Sequence, residues 1–264
     1  MHDRSVTGSR EKNLENLSQR LEAYIQSNCL PVAGERAGLA DRLGASMFLS
    51  HSSSSNQFSA ICDIGLVAGL NPLEIRMGTR ESVFFYAAPF RLPRKACGFL
   101  FSHTLESQRR GDGVATPFDS GGLERRMIRP DMAEASSLFL ARHELSVPAH
   151  RAYLGRCLGT LFDQPTDYVE GQAPQWPGPI GLTGGDSRMW THEVRFARQV
   201  HLRGAALRAV FAPGSRTVSD DAVEQFKVWC RSQEVDWIDI QTPRQREPDP
   251  LLKACLEYFR RKLY

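Results

Sequence analysis

The stretch SVFFYAAPF at residues 82–90 is the clearest strand signal in the chain. It is rich in aromatic residues, carries no charge, and is stopped by Pro89, a residue that cannot donate a ladder hydrogen bond. A second apolar run, CGFLF at 97–101, follows a basic turn that includes Arg91. The sequence therefore predicts two strands here, at 82–88 and 97–101.

Further elements flank this pair on both sides. Hydrophobic alternation predicts strands at 45–50, 190–196, 206–212 and 235–240. Apolar residues at helical spacing predict helices at 10–28, 55–64, 131–141, 149–162, 219–231 and 250–262. The Gly- and Pro-rich stretches 109–123 and 170–187 are predicted as long loops. Because helices and strands follow each other without a regular βαβ rhythm, an α+β fold is expected.

The domain organisation follows from the same pattern. We expect an N-terminal helical segment over 1–44 and a single α+β domain of catalytic type over 45–264. No internal repeat and no low-complexity linker divides the second part.

Composition describes an ordinary soluble chain. The protein has 264 residues, 41% of them hydrophobic and 24% charged, with a formal net charge of +3. That charge is too small to identify a dedicated nucleic-acid binder. No apolar run is long enough for a membrane span, the first residues lack a secretory apolar segment, and the six cysteines contain no CxxC pair. A cytoplasmic protein with buried thiols is expected.

Familiar catalytic motifs are missing. The glycines of neither long loop have the spacing of a P-loop or of a dinucleotide-binding GxGxxG turn, which argues against a kinase, an ATPase or a Rossmann dehydrogenase. GxSxG and HExxH are absent as well. A metal-dependent nuclease or hydrolase built on His143, His150 and His192 stays open as a minor alternative.

The strand WTHEVRF at 190–196 carries the most specific signal. Alternation places Thr191, Glu193 and Arg195 on one face, and His192, Val194 and Phe196 on the other, apolar face. Glu193 is thus expected opposite the core, beside a Gly-rich loop that borders a ligand cleft, where its substitution should change stability little. The other interpretation is a solvated carboxylate paired with Arg195.

The order of elements resembles the ADP-ribosyltransferase superfamily, in particular the DarT-type toxins. The stretches that carry the resemblance are FLSHSSSSNQFSAICDIGL at 48–66, SVFFYAAPF at 82–90, and THEVRFARQVHLRGAALRAVF at 191–211. The resemblance covers roughly residues 45–215 and implies a split, mixed β-sheet core with flanking helices. Thr191 stands where arginine-modifying members carry Glu or Gln, so an arginine acceptor is not implied.

The resemblance also implies an activity and a set of site residues. The enzyme would consume NAD and transfer ADP-ribose to a macromolecule, and a cognate antitoxin or inhibitor would be a natural partner. Glu193 would be catalytic, His51 would bind the adenosine-side ribose, and Ser82 and Tyr86 would lie near the nicotinamide. Arg76, Arg80 and Arg91 are the candidates for the diphosphate.

Two predictions about geometry follow. His51, Tyr86 and Glu193 should line one cleft, and at least one of the two long loops should border it. The alternative from a different class is a non-catalytic module that binds nucleic acid or protein, for which no such cleft around Glu193 is needed.

Overall fold

A mixed β-sheet organises the structure. The strands are β1 (Phe48–Ser53), β2 (Leu66–Val67), β3 (Ser82–Ala87), β4 (Cys97–Ser102), β5 (Gly113–Thr116), β6 (Leu145–Ser146), β7 (Glu193–Ala197), β8 (Gln199–Val200), β9 (Leu207–Pro213) and β10 (Asp236–Ile240). Eight of these described strands form one sheet in the order β10-β9-β4-β1-β3-β7-β5-β6, and β2 pairs with β8 separately. The pair β9–β10 is parallel. The pairs β9–β4, β4–β1, β1–β3, β3–β7 and β7–β5 are antiparallel.

The computed structural model describes much of the chain, but not all of it. The described ranges are 48–53, 57–69, 81–87, 97–102, 104–109, 112–118, 133–161, 192–202, 206–213 and 220–240, with residues 12, 15, 16, 18, 19, 22, 23, 37, 38, 41, 72, 75, 78, 79, 120 and 261. The predicted loop 170–187 lies outside the described residues, as does all of the predicted helix 250–262 except residue 261.

Five helices whose bounds the structure describes accompany the sheet. They are α1 (Phe58–Ile64), α2 (Thr104–Gln108), α3 (Ala133–His143), α4 (Val147–Leu161) and α5 (Asp220–Ser232). α1 ends, as predicted, at a glycine: Gly65 has φ +87°, a conformation that favours glycine. The predicted combination of helices with a mixed sheet in one domain is confirmed. Within the described residues, no helix is both long enough and apolar enough to cross a bilayer.

The main hydrophobic core lies on one face of the sheet. Val83, Phe85 and Ala87 of β3 lie beside Val194 and Phe196 of β7 and are buried under the helices. The aromatic ring of Phe58, at the start of α1, stacks on Phe99 of β4 with 5.1 Å between the ring centroids. It also contacts Phe226 of α5, with 3.8 Å between the centroids. Burial of side chains of this size contributes about 1.5–3 kcal/mol each, so this face supplies the main driving force for folding.

Three thiols pack in or against this core. Cys97 and Cys230 are buried, Cys62 is half-buried, and all three are free. Burial raises the pKa of Cys62 and Cys230 to about 12 and that of Cys97 to about 11. These cysteines are therefore unreactive at neutral pH, as the sequence predicts.

The strand β5 corrects a prediction. The sequence places residues 109–123 in a loop because of their glycines, yet Gly113–Thr116 pairs with β7. The reason is packing: a Cβ atom on Gly113 would lie 2.5 Å from the Phe196 ring and 2.8 Å from Val147. Here glycine makes room for a large neighbour, and the strand forms although its composition suggests a turn.

The N-terminal segment contacts the end of α3. Ser18 and His143 share a hydrogen bond of 2.8 Å between Oγ and Nε2. Arg142 forms ion pairs with Glu22 at 2.8 Å and with Glu15 at 3.4 Å. Those residues that are described within the predicted helix 10–28 are helical.

We expect Gly98→Ala to destabilise the protein strongly. A Cβ atom there would lie 2.2 Å from the Phe211 ring and 2.3 Å from the backbone oxygen of His51, and that backbone cannot move without breaking the β1–β4 ladder. Overpacking of this kind should cost at least about 2 kcal/mol. Chemical denaturation measures the loss.

Gly38→Ala is the matched control. Gly38 is helical, and a Cβ atom added to it would meet no heavy atom of the described residues within 4 Å. The same substitution there should be neutral or stabilise by up to about 1 kcal/mol. Equal stabilities for the two variants would contradict the close approach at Gly98.

Candidate active site

A row of polar side chains crosses the sheet on the face opposite the core. The strand register pairs Ser50 with Tyr86, Tyr86 with Glu193, and Glu193 with Thr116. Directly opposed residues of antiparallel strands share a face, and neighbouring strands lie about 4.8 Å apart. These four residues, called the polar row below, therefore span four strands and about 14 Å.

The alternation of β7 produces this arrangement. Val194 pairs with Phe85 and Phe196 with Val83, and all four belong to the core. Glu193 and Arg195 consequently point to the other face, as the sequence predicts.

Glu193 is buried, which rules out the alternative of a solvated carboxylate and contradicts the expectation that its substitution changes stability little. Only 2% of it is exposed. Its Oε1 atom accepts a hydrogen bond from the hydroxyl of Ser120 at 2.7 Å, and its Oε2 atom accepts one from the Ser120 backbone N–H at 3.3 Å. The chain that follows β5 covers the face here, held by a hydrogen bond from the Thr116 hydroxyl to the Phe118 carbonyl at 2.8 Å.

The contact with Ser120 bears on the prediction about the loops. Ser120 belongs to the stretch 109–123, one of the two stretches expected to border a cleft shared by His51, Tyr86 and Glu193, and it binds the Glu193 carboxylate directly. The cleft itself stays a prediction, because Glu193 is buried. Sequence reasoning did not identify Ser120 itself, because nothing local marks one serine among several.

Arg195 lies between two carboxylates. It is 2% exposed, and its Nη2 atom donates a short hydrogen bond to Oε1 of Glu144, the residue that follows α3. Its Nε atom lies 3.8 Å from Oε1 of Glu193 and has no hydrogen-bond partner in the described part of the chain. The pair Arg195–Glu193 is therefore an ion pair without a direct hydrogen bond.

The predicted cofactor-binding residues separate into different places. Tyr86 is the direct cross-strand neighbour of Glu193. Ser82 shares the face of Tyr86 but lies four residues away, about 13 Å along β3. Arg76, Arg80 and Arg91 lie outside the described residues.

His51 requires a correction. It pairs with Phe99, its ring lies 5.7 Å from that of Phe85, and its Nδ1 atom donates a hydrogen bond to the Phe84 carbonyl oxygen at 2.8 Å. These contacts place it on the core face, so His51 does not line a common cleft with Tyr86 and Glu193. The position facing Tyr86 on β1 is taken by Ser50, and only the pairing register reveals that one-residue difference.

The alternative metal site is wrong for the described residues. His150 and His192 share a hydrogen bond of 2.8 Å between Nε2 and Nδ1 on the core face, but His143 binds Ser18 instead. Nowhere in the described ranges do three His, Cys, Asp or Glu side chains gather as metal ligands.

A small cleft lies on the core face, between α4 and the sheet. Its aliphatic lining consists of Leu49, Ala87, Val147, Leu154 and Val194, and His150, Glu106 and Arg151 complete it. Arg151 and Glu106 pair with each other at 3.0 Å. Its charged groups pair with each other, and none of the predicted catalytic or cofactor-binding residues lines it, so we take the polar row as the candidate site.

Comparison with known proteins adds no further assignment. A scan against models of protein families finds no match to this chain, and neither does a search of curated proteins. The site must therefore be judged from its own residues.

The buried histidine pair predicts a specific loss of stability in acid. Burial lowers the pKa of His150 to about 3, and burial together with the neighbouring His150 lowers the pKa of His192 well below its usual value of 6.5. The stability that depends on these two neutral histidines is complete above pH 6.5. It declines as the pH falls below that value, because the unfolded state then binds protons that the folded state excludes. At pH 5 His150 alone should lower the free energy of unfolding by about 2 kcal/mol, and His192 should add to that loss.

Unfolding at pH 8 and pH 5 measures this effect. The double variant His150→Gln/His192→Gln should lose less stability between the two pH values than the natural chain. His201→Gln, the same substitution at an exposed position, serves as the control. An undiminished acid loss in the double variant would show that the pair is not its source.

Proposed function

We propose that the protein is an NAD-consuming, ADP-ribosyltransferase-like enzyme that transfers ADP-ribose to a macromolecule, with nucleic acid as the first acceptor to test. One observation carries the proposal: a buried carboxylate, Glu193, is held by Ser120 and lies directly opposite Tyr86 on the adjacent strand. This is the pair of residues to which the sequence resemblance assigns the catalytic and nicotinamide-binding roles.

The chemistry requires a fixed negative charge. When the bond between the ribose and nicotinamide breaks, the electron pair leaves with nicotinamide and the ribose becomes cationic. A carboxylate held next to the ribose stabilises that charge as it develops. An oxygen or nitrogen of the acceptor then bonds to the ribose carbon and loses a proton, which balances the reaction.

The face around Glu193 suits a polar, hydroxyl-rich ligand such as NAD. Arg195 Nε and Ser52 Oγ are buried and have no hydrogen-bond partner among the described residues. Alternation puts Ser52 on the same face as Ser50 of the polar row. Buried polar atoms without partners are costly, and a ligand that supplies partners offsets that cost. Tyr86 provides a flat surface for the nicotinamide ring.

A non-catalytic binding module is the second candidate. The observation in its favour is that Ser120 and Arg195 already satisfy much of the Glu193 carboxylate. In that case Glu193 holds the face together and takes part in no reaction.

Glu193→Gln separates these candidates. If the charge stabilises a cationic ribose, its loss should lower the rate of nicotinamide release from labelled NAD at least about a hundredfold, corresponding to roughly 3 kcal/mol. Because the residue is buried, the variant should also lose about 1–3 kcal/mol of stability, and not the small amount expected for a solvated residue. Rates are compared below the melting temperature of both proteins.

Glu106→Gln is the matched control. Glu106 is also largely buried and paired with an arginine, but it belongs to the cleft on the other face. It should keep normal turnover while losing some stability. If neither the natural chain nor Glu106→Gln releases nicotinamide or transfers label to DNA, RNA or protein, the proposal fails and the binding module takes its place.

A further inference from the structure

The guanidinium of Arg195 is the least expected charge in the described structure. It is as fully buried as Glu193, yet the two side chains form no direct hydrogen bond, since Nε and Oε1 lie 3.8 Å apart. Its other side binds Glu144, whose side chain is 30% exposed. One buried cation thus faces a buried and a half-exposed carboxylate at the same time.

This placement has an electrostatic consequence. A carboxylate taken out of water prefers its neutral form unless a positive charge or hydrogen-bond donors compensate. For Glu193 the described donors are the N–H and hydroxyl of Ser120, and the described positive charge is Arg195. Glu144 competes for that charge through its own hydrogen bond.

We propose that Arg195 is a positioning residue that keeps Glu193 ionised and fixed on the polar row, and that Glu144 limits how much of this positive charge Glu193 receives. The catalytic meaning of the proposal rests on the proposed function, whereas the coupling between the two side chains does not. Arg195 itself need not touch the ligand.

Among the described residues next to Glu193, Arg195 is the one that carries a positive charge. On the same face, β3 contributes Tyr86, β5 contributes Thr116, and the chain beyond β5 contributes Ser120. Among the described residues, the neighbouring titratable pair His192 and His150 lies on the opposite face of the sheet. Their titration is common to all the variants below and cancels in the comparison.

The first test uses the pH profile of NAD cleavage. Arg195→Met should move the acidic limb of kcat/KM upward by at least about one pH unit, because Glu193 then protonates more readily. Glu144→Gln should move the limb in the opposite direction, since Arg195 is released from its competitor. Arg195→Lys keeps the charge and should restore most of the natural profile.

Arg151→Met is the matched control for this test. It removes an arginine from a carboxylate pair on the other face of the sheet and should leave the acidic limb in place. An unmoved limb in an active Arg195→Met protein, or shifts of the same sign in Arg195→Met and Glu144→Gln, would overturn the positioning role. If Arg195→Met does not fold, Arg195→Lys and Glu144→Gln carry the test.

The second test needs no activity. Arg195→Met is combined with Glu193→Gln, and the unfolding of the four proteins in this cycle is compared at pH 8 and pH 5. Arg195→Met should be less damaging when Glu193 is already neutral, and less damaging at pH 5 than at pH 8. Equal losses in both backgrounds and at both pH values would mean that Arg195 contributes packing alone, and the proposal falls.

The two tests distinguish the two proposals. If Arg195 and Glu193 are coupled in the unfolding cycle but the protein does not cleave NAD, the proposed function is refuted and the charge coupling stands. NAD cleavage that depends on Glu193, without coupling to Arg195, supports the function and refutes the positioning role.

Discussion

The buried carboxylate of Glu193 is the constraint on which this side of the sheet depends. Removing a carboxylate from water is costly unless donors and a counter-charge replace the water. Ser120 supplies two donors and Arg195 the charge. Each of these two residues depends on a further contact. Ser120 reaches Glu193 because the chain folds back after β5, and Arg195 binds a second carboxylate, Glu144, at the end of α3.

The same strand serves the opposite face as well. Val194 and Phe196 of β7 pack in the aromatic core. His192 directly precedes β7 and shares a hydrogen bond with His150 of α4. The core therefore fixes the position of β7, and the position of β7 fixes Glu193. Sites on rigid strands hold their side chains more precisely than sites on loops. For a reaction that depends on one well-placed charge, this rigidity is an advantage.

Much of the fold could be predicted from local patterns, because those patterns describe single elements. The strand at Ser82–Ala87, the strand at Cys97–Ser102 and the helix that ends at Gly65 agree with prediction to within a few residues. The alternation along β7 was predictable for the same reason. The glycine-rich strand β5 was not, since Gly113 is there for the bulk of Phe196 in a distant part of the chain.

The candidate site was predictable only in part, because its residues meet through strand pairing. Tyr86 and Glu193 were expected together and are direct neighbours. His51 was expected with them, but the register puts Ser50 in that position and turns His51 to the core face. No local pattern shows that a polar face is covered, so the burial of Glu193 could not be found in the sequence, although its pairing with Arg195 was one of the two interpretations.

The two-sided character of β7 bears on how this chain can change over evolution. A substitution at Glu193 alters one side chain and leaves the strand where it is. Inserting or deleting a single residue close to the start of the strand has a different effect, because a shift of one position exchanges the two faces. The carboxylate and guanidinium would then enter the aromatic core, and Val194 and Phe196 would meet Ser120 and Tyr86. In any set of natural variants, length changes should therefore be excluded from residues 192–197, even where individual amino acids vary.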